Sequence, residues 1–282
     1  MKEIKSQYRN RNKDIIVFYN KNEIPYIAVP HLHSQYEIYY NIRGAKGFML
    51  NGGFYRCGER DLLVIPRVSA HKVLVKENAE YERCIINIDA RVVELLERVC
   101  PSAGALTWLT GEEGKAPEMV NLTPEQHNTL MELAAEYNRE EQDGRELETF
   151  AVFVRLLSFL KSCFEHPRRT VYMDEDELTY ADKVMRQIEQ SFQTASVSEI
   201  ADRIFVNEDY ANRVFKEETG ITIKKYLTMR KIAEAKKYLF LGKSAREACV
   251  LAGFNDYANF MRTFKKYEGY TPGGLEELTE SL

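Results

Sequence analysis

"VSEIADRIFVNEDYANRVFKEETG", residues 197–220, has a second version further on: "SAREACVLAGFNDYANFMRTFKKYEG", residues 244–269. In each, a short helical run leads through a tight turn to an asparagine, then "DYAN" (after Glu208 in the first copy, directly in the second), and an aromatic–lysine pair near a glycine. The economical reading is a helix-turn-helix unit used twice. Asn207 is expected to cap the second helix of the first unit and Gly220 to end it. Ser244 is expected to cap the next short helix, and Asn255 the last one, running from Asp256 to about Tyr267 and closed by Gly269. Between the units the pattern predicts one long helix from Ile223 to about Phe240. Eighteen residues at about 1.5 Å each span roughly 27 Å. With its flanking turns, such a rod suits two helices held one DNA turn apart, about 34 Å.

A helix that enters the major groove needs an apolar inner face and an outer face of hydrogen-bonding and cationic groups. In the first unit Tyr210, Ala211, Val214 and Phe215 form the inward pairs, and Asp209, Asn212, Arg213 and Lys216 fall on another face. Phe260, Phe264 and Tyr267 line the inside of the second, with Tyr257, Ala258, Asn259, Arg262, Lys265 and Lys266 outward. Charge agrees. The chain carries a net −4, yet Asn207–Tyr267 holds thirteen Lys/Arg against seven Asp/Glu, leaving −10 on the remainder. A basic segment on an acidic chain points to a local polyanion contact, the alternative being a solvated lysine-rich face.

Residues 178–275 resemble the DNA-binding domain of the AraC/XylS family of transcription regulators. The resemblance is carried by "EIADRIFVNEDYANRVFKEETGITIKKYLTMRKIAEAKKYL" and by "AGFNDYANFMRTFKKYEGYTP". It implies that the third and sixth helices of this domain read bases. Asp209, Asn212 and Arg213 match the first reading face, and Tyr257, Ala258 and Arg262 the second. Phe205 stands where the family often has glycine, and Ala211 where leucine is usual.

The first ninety residues are patterned differently. "DIIVFY", "YEIYYNI", "GFML", "DLLVIP", "HKVLV" and "RCIINI" are short runs rich in β-branched and aromatic residues, separated by "RGAKG", "NGG" and "CGER". They predict an all-β barrel or sandwich with no useful helix before Ala90. "RVVELLERV" is then a short helix. Thr123 caps a helix opening at Pro124. A further helix over about Glu146–Phe164 carries Phe150, Phe153, Leu157, Leu160 and Phe164 at three- and four-residue steps, either core or a dimer seam. The expected organisation is α+β and multidomain: residues 1–165 as sensor and dimerisation domain (barrel about 1–90, helices about 91–165), 166–176 as linker, and 177–282 as an all-α DNA-binding domain.

Within the β-rich part, His31, His33, Glu37 and Gly44 have the spacing HxH, x3, E, x6, G. This resembles the first cupin motif, and "PRVSAH" brings Pro66 and His71 from the second. Neutral imidazoles and one carboxylate suit iron, manganese, nickel or zinc. Val68 and Val75 replace the glycine and asparagine usual in the second motif. The N-terminal domains of AraC-like regulators are cupin-like barrels, so the resemblance also allows His31, His33, Glu37, Tyr39 and His71 to line an organic ligand's pocket. Tyr36, Tyr40, Phe48 and Tyr55 are further candidate walls, of which strand alternation turns about half inward. His127 and His166 read as surface residues.

Other chemistry finds no support. GxGxxG after a strand, GxxxxGK[ST] and GxSxG are all missing. Five well-separated cysteines without a CxxC pair suggest a reduced cytoplasmic chain. The polar start and the lack of a run of about 18 apolar residues predict no signal segment or membrane span. The expectation is a non-enzymatic, ligand-responsive regulator with double-stranded DNA, a small-molecule effector, a second copy of itself and RNA polymerase as partners. No cofactor is expected beyond a candidate transition metal in the barrel. The rival reading is a cupin metal-dependent enzyme or metal sensor using His31, His33, Glu37 and His71.

Overall fold

The structure is a computed structural model describing residues 14–21, 30, 31, 33, 35–67, 69–76, 79–101, 106–110, 117–165, 167 and 170–274. Val68 and His166 lie outside the described residues. Eight strands are described: β1 (Ile15–Lys21), β2 (Tyr36–Arg43), β3 (Ala45–Leu50), β4 (Gly53–Arg56), β5 (Asp61–Ile65), β6 (His71–Val75), β7 (Glu82–Ile88) and β8 (Met119–Asn121). They form a five-stranded sheet, β1-β7-β2-β5-β8, and a three-stranded sheet, β4-β3-β6. All pairings are antiparallel. Among the described residues the two sheets face each other without closing fully into a barrel; His31 bridges to His71 at one margin.

Period-two alternation sorts the side chains into layers. Along β2 and β5, Ile38, Tyr40, Leu62 and Val64 face the helices α1 (Ala90–Val99), α3 (Pro124–Gln142) and α4 (Glu146–Cys163). The short α2 (Thr107–Thr110) lies on the same side. Tyr39, Leu63 and Ile65 point the other way and meet Phe48, Leu50 and Tyr55 between the sheets. A strand buried on both faces cannot alternate apolar with polar, which is why "YEIYYNI" and "DLLVI" are so uniformly apolar or aromatic. The candidate walls divide accordingly: Tyr39, Phe48 and Tyr55 lie inside, Tyr36 and Tyr40 on the helix side. His127 is not a surface residue. It is half-buried, and its Nδ1 lies 2.8 Å from the Tyr40 hydroxyl.

Helix α3 opens with a complete capping box, Thr123 with Gln126, and Pro124 at its first position. On α4, Phe153, Leu157, Leu160 and Phe164 are core, so that part of the stripe is no seam. Leu147, Phe150 and Val154 are the exposed apolar positions of this helix.

The C-terminal part is helical: α5 (Tyr180–Ser191), α6 (Val197–Arg203), α7 (Glu208–Thr219), α8 (Ile223–Phe240), α9 (Ala245–Leu251) and α10 (Tyr257–Glu268). Serine–glutamate capping boxes open α6 and α9. Left-handed glycines, Gly220 and Gly269, close α7 and α10. One expectation fails by a residue: α10 is capped by Asp256, not Asn255.

The two halves share a core. The outer face of the three-stranded sheet gives Met49, Phe54 and Leu74 to a cluster with Ala181, Val184, Met185 and Ile188 of α5. The segment expected to be a linker is docked here as well. Tyr172 bridges to Tyr55, Met173 N donates to Phe54 O at 2.9 Å, and Arg56 N donates to Val171 O at 2.8 Å. Arg56 also pairs with Asp174 and Glu177. None of the helices among the described residues is long and apolar enough to cross a membrane.

Candidate functional site

Two constellations carry chemistry: the outer faces of α7 and α10, and a histidine cluster at the margin of the sandwich.

Helices α7 and α10 each have 12 residues, so they can be compared position by position from their caps. Asn207 then matches Asp256, buried Ala211 and Phe215 match buried Phe260 and Phe264, and Gly220 matches Gly269. In this register Arg213 matches Arg262 and Lys216 matches Lys265, all four exposed. The "DYAN" letters do not coincide: they fall two helical positions apart, so the repeat is carried by cap, core aromatics, arginine, lysine and glycine.

The shift changes the roles of several residues. Asn212 is not on the outer face. It is half-buried, and its Oδ1 accepts from Ile223 N at 3.2 Å, tying α7 to the start of α8. Tyr210, expected inside, is 43% exposed and takes the position that Asn259 holds on α10. The Arg213 guanidinium lies 5.2 Å from its ring centroid. Counting from the cap, and not from the letters, would have found it. Asp209, Ala258, Asn259 and Lys266 are exposed as expected, whereas Tyr257 is half-buried with Arg246 over its ring. Lys224 and Lys225 at the start of α8 line an open groove with Lys266.

Between α7 and α10, α8 is anchored by buried charge. Arg230 pairs with Glu189 of α5 at 2.7 Å and with Glu234 at 2.9 Å, and stacks over Phe192.

At the sandwich margin, β6 places His71 and β2 places Glu37, while His31 pairs its backbone with His71. The ligand atoms of His31, His33 and His71 lie within 4.8 Å of one another. His33 Nδ1 is 3.0 Å from Gln35 O, and His71 Nδ1 is 2.9 Å from Ser69 O. A carbonyl only accepts, so each Nδ1 carries a proton and donates it, and each Nε2 faces the cluster. His33 Nε2 lies 2.8 Å from Glu37 Oε2, and His71 Nε2 lies 3.7 Å from the same oxygen.

The electrostatics follow from burial and that carboxylate. Burial alone would raise the Glu37 carboxyl, but the neighbouring imidazoles outweigh it and hold it at about 2. Burial opposes a proton on His33, yet the hydrogen bond and charge of Glu37 win and raise it. Burial, then the His71 charge, push His31 down to about 3, and burial also lowers His71. Within the cluster the proton is thus favoured on His33, beside Glu37, over His31 and His71. Tyr39 is brought into the neighbouring layer, but its hydroxyl is 2.9 Å from that of Tyr81. Three imidazoles and a carboxylate could hold a transition metal; the same groups could hydrogen-bond an organic ligand.

Known proteins match both halves. Residues 19–149 match the family described as an AraC-like ligand binding domain, and residues 200–277 match a helix-turn-helix domain family. The chain belongs to the AraC family. Among curated relatives, this AraC-family chain is 34% identical over 114 residues to the transcriptional regulatory protein HptR of Staphylococcus aureus, covering 40% of this chain and 45% of that one. It is 32% identical over 102 residues to an uncharacterized response regulatory protein of Staphylococcus epidermidis, covering 36% of this chain and 41% of that one. The match thus spans less than half the length of these relatives. Among solved structures, ToxT from Vibrio cholerae aligns over 93% of this chain and 98% of its own, with 12% identity and a TM-score of 0.37. The C-terminal domain of the response regulator yesN from Fusobacterium nucleatum aligns over 32% of this chain and 91% of its own, with 26% identity and a TM-score of 0.31.

Proposed function

We propose that this AraC-family chain is a sequence-specific DNA-binding transcription regulator, and not an enzyme, whose operator binding is controlled by a small molecule held at its N-terminal domain. The observation that carries this is the cap-to-cap equivalence of α7 and α10. Each presents an arginine at the same position and a lysine three residues on, and each is closed by a left-handed glycine. Arginine pairs bidentately with guanine edges, and lysines near helix ends suit phosphates. The 18 residues of α8, at about 1.5 Å each, span roughly 27 Å, and with the flanking turns this suits two helices one DNA turn apart. Shared core between the β-rich half and α5 gives an effector a physical route to the readers.

The chain acts in this reading in the cytoplasm and as a homodimer, through the outward face of α4 where Leu147, Phe150 and Val154 are exposed, with RNA polymerase as a further partner. Selection of bound duplexes from a random pool by the full chain tests it. Enrichment of two half-sites about one helical turn apart is expected; no enrichment over bulk sequence would overturn it.

A further inference from the structure

The joint between the two helical units carries an inference that goes beyond the regulator reading and rests on its two-helix mode of contact. The units have separate apolar cores. Ile223, Tyr226 and Leu227, at the start of α8, belong to the core that holds α5, α6 and α7. Ile232, Ala235 and Leu239, further along α8, belong to the core of α9 and α10. The handover falls between Leu227 and Ile232. Long helices are rarely straight, and a stretch that leaves one core for another is where such a rod can bend.

Lys231 stands at that handover, half-buried. Its ammonium donates to Gln193 O, in the turn that follows α5, at 3.1 Å, and to Gly253 O, in the turn between α9 and α10, at 2.8 Å. One side chain thus holds a carbonyl from each unit, a use to which three rotatable N–H donors are suited. A further hydrogen bond runs directly between the two turns, from Gln193 Nε2 to Leu251 O at 3.1 Å. The backbones themselves are in contact: a Cβ on Gly253 would stand 2.5 Å from Gln193 O and 2.7 Å from Gln193 Cα. At the same point of the first unit, Phe205 carries a full side chain out into solvent. The second turn therefore needs glycine for this close approach as well as for its backbone angle.

We propose that the clamp of Lys231, Gln193 and Gly253 fixes the angle between α7 and α10, and that Lys231 is the positioning residue that sets the separation of the two half-sites this chain accepts. One base pair is about 3.4 Å along the duplex, so a hinge midway along a rod of roughly 27 Å would let α10 slip between neighbouring registers. The clamp removes that hinge.

The test uses the full chain and a duplex taken from the random-pool selection, remade with its two half-sites moved closer or further apart by one and two base pairs. Fluorescence anisotropy gives the affinity for each. The parent should prefer its selected separation at least about tenfold over a shift of two base pairs, the loss expected when one helix forfeits a bidentate arginine. Lys231→Met should cut that preference to less than about threefold. Lys231→Arg keeps donors for both carbonyls and should retain it. Gly253→Ala drives the second turn off Gln193 and leaves Lys231 in place; it should flatten the preference as well, and it decides the matter if Lys231→Met does not fold. A uniform loss of affinity at every separation, with the parent's ratio kept, would make Lys231 a merely stabilising residue and overturn the clamp, leaving the DNA-binding reading intact. A parent without any preference for separation would do the same. A selection that enriches one half-site or none removes the two-helix contact, and the clamp's role with it.

Discussion

Phe205 and Gly253 stand at the same point of the two helical units, each in the left-handed region, with φ of +60° and +79°. Glycine adopts this conformation freely, whereas a side chain there costs roughly 1–2 kcal/mol. Phe205 is 95% exposed, so it recovers nothing by burial. Phe205→Gly removes the strain and adds about 0.5–1 kcal/mol of chain entropy in the unfolded state. The expected result is a gain of up to about 1 kcal/mol in chemical denaturation, and Phe205→Val should lose stability. A loss in the glycine variant would show that the turn is not strained.

Arg213 and Arg262 are exposed at equivalent positions, while Asn212 is spent on the α7–α8 turn. Arg213→Ala and Arg262→Ala should each weaken binding to a selected duplex by about 1–3 kcal/mol. Asn212→Ala should act mainly on stability, by about 1 kcal/mol for a lost cap-like hydrogen bond. Titration by fluorescence anisotropy, beside denaturation of each variant, separates the two. Equal DNA effects for Asn212 and Arg213 would contradict the face derived from the caps.

Arg230 joins α5 to α8 between Glu189 and Glu234, with all three side chains no more than 10% exposed. Removing one member of a buried ionic cluster leaves uncompensated charge and typically costs about 3–5 kcal/mol. Arg230→Ala should lose that much in urea unfolding. A loss below about 1 kcal/mol would mean that water reaches the carboxylates.

Docking of the segment before α5 depends on Gly47. A Cβ at that position would stand 2.3 Å from the Met173 sulfur. Gly47→Ala should therefore push Met173 off β3 and expose residues 170–177 to protease or hydrogen exchange. Unchanged protection of this segment would show that Met173 moves aside at no cost.

His31 gives a pH dependence for the metal-free chain. Its folded value of about 3 lies below the ordinary value of about 6.5, so between them the unfolded chain binds the proton and the folded chain does not. Stability from this group is complete above about pH 6.5 and declines as pH falls toward the folded value. In chelator, thermal midpoints between about pH 6.5 and pH 4 should fall less steeply for His31→Gln than for the parent. Parallel slopes would remove His31 from the account.

The helical half was legible because its signals are local. Asn207, Ser244, Gly220 and Gly269 act within one turn, and the four-residue steps from Ala211 to Phe215 and from Phe260 to Phe264 name the core face without knowledge of its partners. The β-rich half was legible as short strands, but β4 and β8 are only four and three residues long and carry too little pattern to stand out. Letters misled in one place: "DYAN" repeats in the sequence but not in helical register, because α10 starts from Asp256 and α7 from Asn207.

By itself, then, the sequence determined two strand and helix regimes, two helix-turn-helix units, and a histidine–glutamate set of suggestive spacing. Only the tertiary structure decided which arginine and lysine positions are equivalent, that Asn212 faces inward, and that His31, His33, His71 and Glu37 share one centre. These depend on where helices begin and on how residues as far apart in sequence as His31 and His71 pack together. A buried imidazole finds its partners across the fold, and no local pattern records them.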